Sequence, residues 1–254
     1  MITLKNKASV MRMHHAGQEL AEMCEILKSF IKPGISTLDI DNWIVAEFQK
    51  RDLVSKTKGY MGYRHSCCVS INDEVVHGVP CAQKIIRDGD LVKVDICASY
   101  KGYCADMARC FLVGNVDEST KTLIAVAQSA LNKGIEQARA GNRLSDISSA
   151  IQKEVEKHGF GVVRDFAGHG IGKEMHEDPE ILNYGKPGEG PILRAGMTFA
   201  LEPMITVGSY KVCIGDDKWT VKTVDGSRAA HVEDTVLITN DEPKVLTRKI
   251  NASC

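Results

Sequence analysis

Charge of neither sign predominates in this sequence of 254 residues, where 32 basic side chains stand against 33 acidic ones. Such a balance gives nucleic acid or an anionic membrane no electrostatic hold on the chain. No apolar run approaches the roughly 20 residues that a membrane span requires. The start, MITLKNKASVMRMHHAG, lacks the apolar core and cleavage site of a secretory leader, so a cytoplasmic location without membrane contact is expected. None of the nine cysteines (Cys24, Cys67, Cys68, Cys81, Cys97, Cys104, Cys110, Cys213 and Cys254) lies in a CxxC pair. The odd number argues against a disulfide framework and the spacing against a zinc ribbon; the thiols read as small apolar residues of a reducing compartment. No GxxxxGK[ST] phosphate loop occurs, and no Ser/Gly linker or low-complexity tract divides the chain. What is present, 43% hydrophobic and 26% charged, suffices for one large globular domain or two small ones.

The chain repeats itself. Gly34, Asp39, Ile40, Ile44, Glu47, Lys50, Arg87 and Gly89 recur 107 residues later as Gly141, Asp146, Ile147, Ile151, Glu154, Lys157, Arg194 and Gly196. At this offset PGISTLDIDNWIVAEFQK falls on AGNRLSDISSAIQKEVEK, and IRDGDLVKVD falls on LRAGMTFALE, which places Asp95 on Glu202. Chance similarity among helix-forming segments rarely keeps one offset across both a helix and a later strand. Apolar or small residues at 13, 16, 20, 23, 27 and 30 predict a helix stopped by Pro33-Gly34. Ser36-Thr-Leu-Asp39 reads as a capping box opening a second helix to about Asp52. STKTLIAVAQSALNKGIEQARA and Asp146–His158 are the corresponding pair, stopped at Gly141 and Gly159. The stretches CCVSI, LVKVDICAS, CADMARCFLV, TFALEPMITV, WTVKTV and HVEDTVLIT read as strands. The expected fold is α/β (α+β): a central antiparallel sheet covered by helices, in two pseudo-symmetric halves of about 1–115 and 116–247, with a flexible tail at 248–254. A doubly wound parallel sheet is the alternative, and the tight hairpins count against it.

Within LVKVDICASYKGYCADMARCFLV, a turn centred on Tyr100-Lys101 with Gly102 sets Asp95 opposite Asp106. Two carboxylates opposed on one sheet face, roughly 5 Å apart at Cβ, repel each other unless a cation lies between them; the alternative is a pair of exposed acids in a different register. Glu202, the repeat partner of Asp95, precedes Pro203 and so stays extended. Glu233 lies on HVEDTVLIT, after a hairpin turning at Asp225-Gly226, as the counterpart of Asp106. Each glutamate alone reads as a surface acid, yet four acids on symmetry-related strands point to a shared cation. His169, flanked by Gly168, Gly170 and Gly172, is either a structural loop histidine or a nitrogen ligand. His77-Gly-Val-Pro80 and His176-Glu-Asp-Pro179 each precede a strand bearing one of the acids. They suit hydrogen bonding to a bound substrate, or simply mark turns.

HGVP, DICASYKGYCADMARCF, GHGIGKEMHEDP, MTFALEPM and VEDTV, in this order, closely resemble the methionine aminopeptidases of the short bacterial type, from about residue 4 to 247. The resemblance implies the pita-bread fold and a dinuclear site of Co, Mn, Fe or Zn. Asp95 would bind one metal, Asp106 and Glu233 would bridge both, and His169 and Glu202 would bind the second. It further implies that a metal-bridging hydroxide attacks the scissile carbonyl, with Glu202 as general base. His176 would bind the carbonyl oxygen as it becomes anionic, and His77 the leaving amide nitrogen. Tyr60, Tyr63, Cys68, Met175 and Trp219 would form the methionine pocket. The sequence departs from the family at Met175, where an aromatic is more usual, and at Thr57, where cysteine is common. A monovalent cation near Asn72 is a further carry-over. The implied activity is removal of the initiator methionine from the N-termini of newly made polypeptides with a small second residue. A monomer in transient contact with the ribosome is expected. The rivals are a proline-specific peptidase on the same fold, which usually carries an extra N-terminal domain, and a metal-free relative that binds protein or RNA.

Overall fold

Asn6 and Ser36 open the first two helices, their side-chain oxygens accepting the backbone N–H of Ser9 and Asp39. Asp39 returns the bond to the Ser36 N–H at 2.7 Å and completes the capping box. The computed structural model describes residues 1–249. Its helices are α1 (Lys7–Phe30), α2 (Thr37–Lys50), α3 (Glu118–Gln137) and α4 (Leu144–Glu156). The strands run as β1 (Val54–Ser55), β2 (Cys68–Ile71), β3 (Glu74–Val76), β4 (Leu91–Tyr100), β5 (Tyr103–Leu112), β6 (Gly161–Val162), β7 (Gly168–Gly170), β8 (Glu177–Ile181), β9 (Thr198–Leu201), β10 (Met204–Thr206), β11 (Val212–Ile214), β12 (Val221–Thr223), β13 (Ala229–His231), β14 (Glu233–Leu237) and β15 (Lys244–Val245). Nine of them form one sheet in the order β1-β4-β5-β14-β9-β7-β8, with β2 also on β4 and β15 also on β14. Its pairings are antiparallel, as the hairpins required.

Strand alternation decides which face carries chemistry. Val92, Val94 and Ile96 of β4 and Met107 of β5 pack against Leu20, Leu27, Ile40 and Ile44 of α1 and α2. Phe199, Leu201 and Val236 do the same with Leu123, Leu131, Ile147 and Ile151 of α3 and α4. The intervening residues, Lys93, Asp95 and Cys97 among them, therefore point away from the helices.

The two halves share their joints as well as their elements. Gly34 N–H donates to Ile86 O, and 107 residues later Gly141 N–H donates to Leu193 O. The bonds Thr37 N to Lys84 O and Ile86 N to Ile35 O recur as Leu144 N to Pro191 O and Leu193 N to Asn142 O. Gly34 and Gly141 take φ of 96° and 97°, values that a side chain would oppose.

Three local expectations change. The β4–β5 turn is centred on Lys101-Gly102, both with positive φ (47° and 79°), and joins Tyr100 to Tyr103. The register therefore sets Asp95 opposite Ala108 and Cys97 opposite Asp106. Asp95 and Asp106 share a face as diagonal neighbours and do not oppose each other. TFALEPMITV breaks at Glu202-Pro203 into β9 and β10, because proline cannot donate within a ladder. The segments flanking Asp225-Gly226 belong to different sheets, β12 with β11 and β3, β13 with β10, so this turn closes no hairpin.

No helix among the described residues is long and apolar enough to cross a membrane. Of the tail expected to be flexible, residues 250–254 lie outside the described residues. Arg248 is fastened, its Nε donating to Asp234 at 2.7 Å and its guanidinium to Asn132 at 2.8 Å.

Candidate metal centre and its pocket

A row of side chains crosses the sheet on the face away from the helices. Cys68 of β2 pairs with Asp95, Asp95 with Ala108, and Ala108 with Glu233. Glu202 follows Leu201, which pairs with Asp234, so the same register carries Glu202 to Glu233. The directly opposed carboxylates are thus Glu202 and Glu233. Asp106 stands two residues from Ala108 on β5. His169 of β7 pairs with Ala200, two residues before Glu202. All five residues share one face, and Ala108 in their midst contributes only a methyl group. Thr235 locks β14 to β5: its Oγ1 accepts the Asp106 N–H at 2.9 Å and donates to the Asp106 carbonyl at 2.8 Å.

The glycines around His169 are there for packing. A Cβ on Gly168 would lie 2.4 Å from Ala200 O, and one on Gly170 would lie 2.0 Å from Asp178 O. Only glycine lets β7 fit between β8 and β9 with the imidazole turned inward. His169 Nδ1 donates to Gly170 O at 2.9 Å, which leaves Nε2 with its lone pair exposed to the site. That Nε2 is 3.6 Å from Glu202 Oε1.

The electrostatics are those of an acid cluster without cations. Burial, then mutual repulsion, raises the pKa values of Asp95, Asp106 and Glu233, and burial raises that of Glu202. Burial lowers His169 to about 3, and His77 and His231 to about 4, so these rings are neutral at pH 7. Asp106 Oδ1, Glu233 Oε1 and His231 Nε2 are buried without a hydrogen-bond partner. Orphaned oxygens of this kind are costly unless something fills the space between them. Asp106, His169 and Glu233 each offer a ligand atom, all within 4.8 Å of one another. Carboxylates beside a neutral imidazole are a hard donor set that fits divalent first-row metals.

These groups line a cavity of about 530 Å³ that also takes in His77, His176, Tyr60, Tyr63, Cys68, Met175, Trp219 and Thr57. Every site residue expected from the sequence except Asn72, which sits in the β2–β3 turn, therefore meets in one place. Tyr63 and Trp219 pack edge to face at 4.9 Å, and the Tyr63 hydroxyl donates to Cys67 O at 3.1 Å. Tyr60 OH lies 2.8 Å from His176 Nδ1, and the His176 ring stands edge-on to His169 at 4.4 Å. His77 takes φ of 58° and packs edge-on against Phe166 at 5.5 Å.

Sequence reading missed Phe166, Ala108 and His231. His231 is buried, and its Nε2 is 3.4 Å from Glu202 Oε2. It pairs with Met204 as Asp106 pairs with Cys97, which makes His231, and not Glu233, the ladder counterpart of Asp106. Carrying the repeat through both strand pairings would have found it. Lys93, a fourth such omission, is buried on the same face as Asp95; burial lowers its pKa to about 8, while nearby Cys110, Glu74 and Asp73 oppose the fall.

The match to the model of metallopeptidase family M24 covers residues 11–240. A methionine aminopeptidase of Clostridium acetobutylicum is 47% identical over 247 residues, 97% of this chain and 99% of that protein. Methionine aminopeptidase 1 of Bacillus subtilis is 44% identical, covering 98% of this chain and 100% of that one. The crystal structure of methionine aminopeptidase from Thermotoga maritima superposes with a TM-score of 0.96 at 43% identity, over 98% of this chain and 100% of that chain. An Xaa-Pro dipeptidase from Bacillus anthracis shares the fold at a TM-score of 0.77, with 23% identity and 62% of its length covered. Since the likeness holds from end to end at this identity, the chain has the pita-bread fold and belongs to metallopeptidase family M24, in its methionine aminopeptidase branch of the short bacterial type.

Proposed function

We propose that this protein removes the N-terminal methionine from polypeptides whose second residue is small, in a reaction that depends on two divalent metal ions. The observation that carries the reading is the convergence of four carboxylates, Asp106 and Glu233 buried and Asp95 and Glu202 half-buried, and a neutral imidazole in one cavity with an aromatic, sulfur-lined pocket. Asp95, Asp106, His169, Glu202 and Glu233 would hold Co(II), Mn(II), Fe(II) or Zn(II). Such ions supply Lewis acidity, acidifying the attacking water and polarising the scissile carbonyl.

The chain's own residues would do the rest. Glu202 takes a proton from the attacking water and delivers it to the leaving amine, a task suited to a carboxylate whose pKa burial has raised. With the Tyr60 hydroxyl, 2.8 Å away, donating to His176 Nδ1, the neutral ring carries its hydrogen on Nε2. That Nε2–H then donates to the carbonyl oxygen as negative charge develops. His77, held neutral, contacts the departing amide nitrogen. Tyr60, Tyr63, Cys68, Met175 and Trp219 receive the thioether side chain through aromatic and sulfur contacts. We also infer one catalytic domain acting as a monomer, because a single chain supplies every group and both halves contribute ligands. Action on nascent chains at the ribosome, in the cytoplasm, completes the proposal.

The test is methionine release from Met-Ala and Met-Lys peptides by metal-stripped protein reloaded with each ion. Release from Met-Ala, lost on chelation and restored on reloading, is the expected result. Faster cleavage of X-Pro peptides, or none of Met-Ala with any ion, would overturn the assignment.

A further inference from the structure

Lys93 has no part in that chemistry, yet it ranks first by size among the fully buried side chains of the described residues, at 1% exposure. It stands on β4 two residues before Asp95. No carboxylate among the described residues forms an ion pair with it. Its ammonium donates instead to two main-chain carbonyls, Asn72 O at 2.8 Å and Ala229 O at 3.0 Å.

The two carbonyls come from separate parts of the chain. Asn72 sits in the β2–β3 turn with a left-handed backbone, φ 52°. It is clamped there: its Nδ2 donates to Asp90 Oδ1 at 2.8 Å, and its Oδ1 accepts the Leu91 N–H at 3.0 Å. Ala229 opens β13, two residues before His231 and four before Glu233. Lys93 therefore joins the strand of Asp95, the Asn72 turn and the segment that delivers Glu233.

Buried carbonyls turned toward one point are the arrangement by which proteins replace the hydration shell of a bare monovalent cation. A free cation near Asn72, expected from the resemblance, does not fit here. The Asn72 carbonyl already accepts from Lys93 Nζ and from the Ala229 N–H at 3.0 Å, and a carbonyl offers two lone pairs. A second positive charge beside the ammonium would also be repelled. We propose that Lys93 is a tethered replacement for a structural monovalent cation, so that the Glu233 segment is held against β4 without free sodium or potassium.

The test compares thermal unfolding in sodium, potassium and choline chloride at equal ionic strength. The wild type should give the same Tm in all three. Lys93→Ala should lose roughly 2–10 °C in choline, the size expected for a buried acceptor left without its donor. Saturating sodium, potassium or methylammonium should restore much of that loss. Lys93→Met fills the space without the charge; it should be destabilised in every salt, with Co(II) affinity reduced about tenfold or more. The proposal fails if the wild type gains stability in sodium or potassium over choline, or if Lys93→Met matches the wild type in Tm and Co(II) affinity. It fails equally if Lys93→Ala loses the same Tm in all salts and methylammonium does not help. Should Lys93→Ala not fold, the wild-type salt comparison and Lys93→Met decide the matter.

Discussion

Glu233 offers a direct test of the acid cluster. Its Oε1 is buried without a partner among the described residues. Burial raises its pKa, and the charges of Asp106, Glu202 and Asp95 raise it further. Without metal the folded carboxyl keeps its proton to a higher pH than the unfolded chain does. An unfolded glutamate titrates near about 4.3, and each pH unit above that costs about 1.36 kcal/mol, which puts the ceiling at about 3.7 kcal/mol at pH 7. Its coupled neighbours redistribute part of this when Glu233 is replaced, so about 1–3 kcal/mol is the expected gain from Glu233→Gln. For a chain of this length that is a Tm increase of roughly 2–10 °C. The sign follows from proton counting. Above the unfolded pKa the folded state holds more protons, so metal-free stability falls as pH rises; below about pH 4 both states are protonated and the difference vanishes. Divalent metal should reverse the ranking, because ligand at 100 times Kd stabilises the wild type by about 2.7 kcal/mol and Glu233→Gln has lost a ligand. The assay is calorimetric unfolding of metal-stripped and metal-loaded protein between pH 5 and 8. A flat pH profile for the stripped wild type, with Glu233→Gln no more stable and equally stabilised by metal, would refute the reasoning.

His176→Ala should lower kcat on a Met-Ala peptide by about 10²–10³-fold, the cost of one oxyanion donor, with metal content by atomic absorption unchanged. Asp234, fully buried, accepts from Arg109 at 2.6 Å, Arg248 at 2.7 Å and Thr247 Oγ1 at 2.8 Å, while Arg109 Nη1 donates to Glu233 O at 2.5 Å. Asp234→Ala strands the Arg109 guanidinium, so a loss of about 3–5 kcal/mol is expected in urea unfolding; Arg109→Met with Asp234→Leu should recover most of it.

The parts of this structure legible in the sequence are those that rest on local chemistry. Ser36 and Asp39 form their capping box wherever the helix later packs, and alternation along β4 separates Val94 from Asp95 in any register. Register itself differs by two residues from the expected one, because it depends on whether Tyr100-Lys101 or Lys101-Gly102 occupies the turn. Both placements keep Asp95 and Asp106 on one face, which is why the site could be recognised despite the difference. The role of His231 is harder to read for a different reason. Its burial comes from β10 and β13 pairing beyond the Glu202-Pro203 break, a contact between segments more than 20 residues apart.

The two halves meet at the site with complementary side chains, and the charge count shows why identical ones would fail. Three ladder positions correspond between the halves: Asp95 with Glu202, Asp106 with His231, and Ala108 with Glu233. Acids at all six would bring six negative charges into one buried pocket. Two divalent cations compensate four, and the remaining two would stay unpaired in a low-dielectric interior, at several kcal/mol each. Placing a neutral imidazole at His231 and a methyl group at Ala108 leaves four carboxylates, the number that two such cations neutralise. The methyl group would also leave the proposed cations room, since Ala108 lies between Asp95 and Glu233 in the row. On the proposed two-metal reading, departure from the internal repeat is therefore a condition of charge balance at the site.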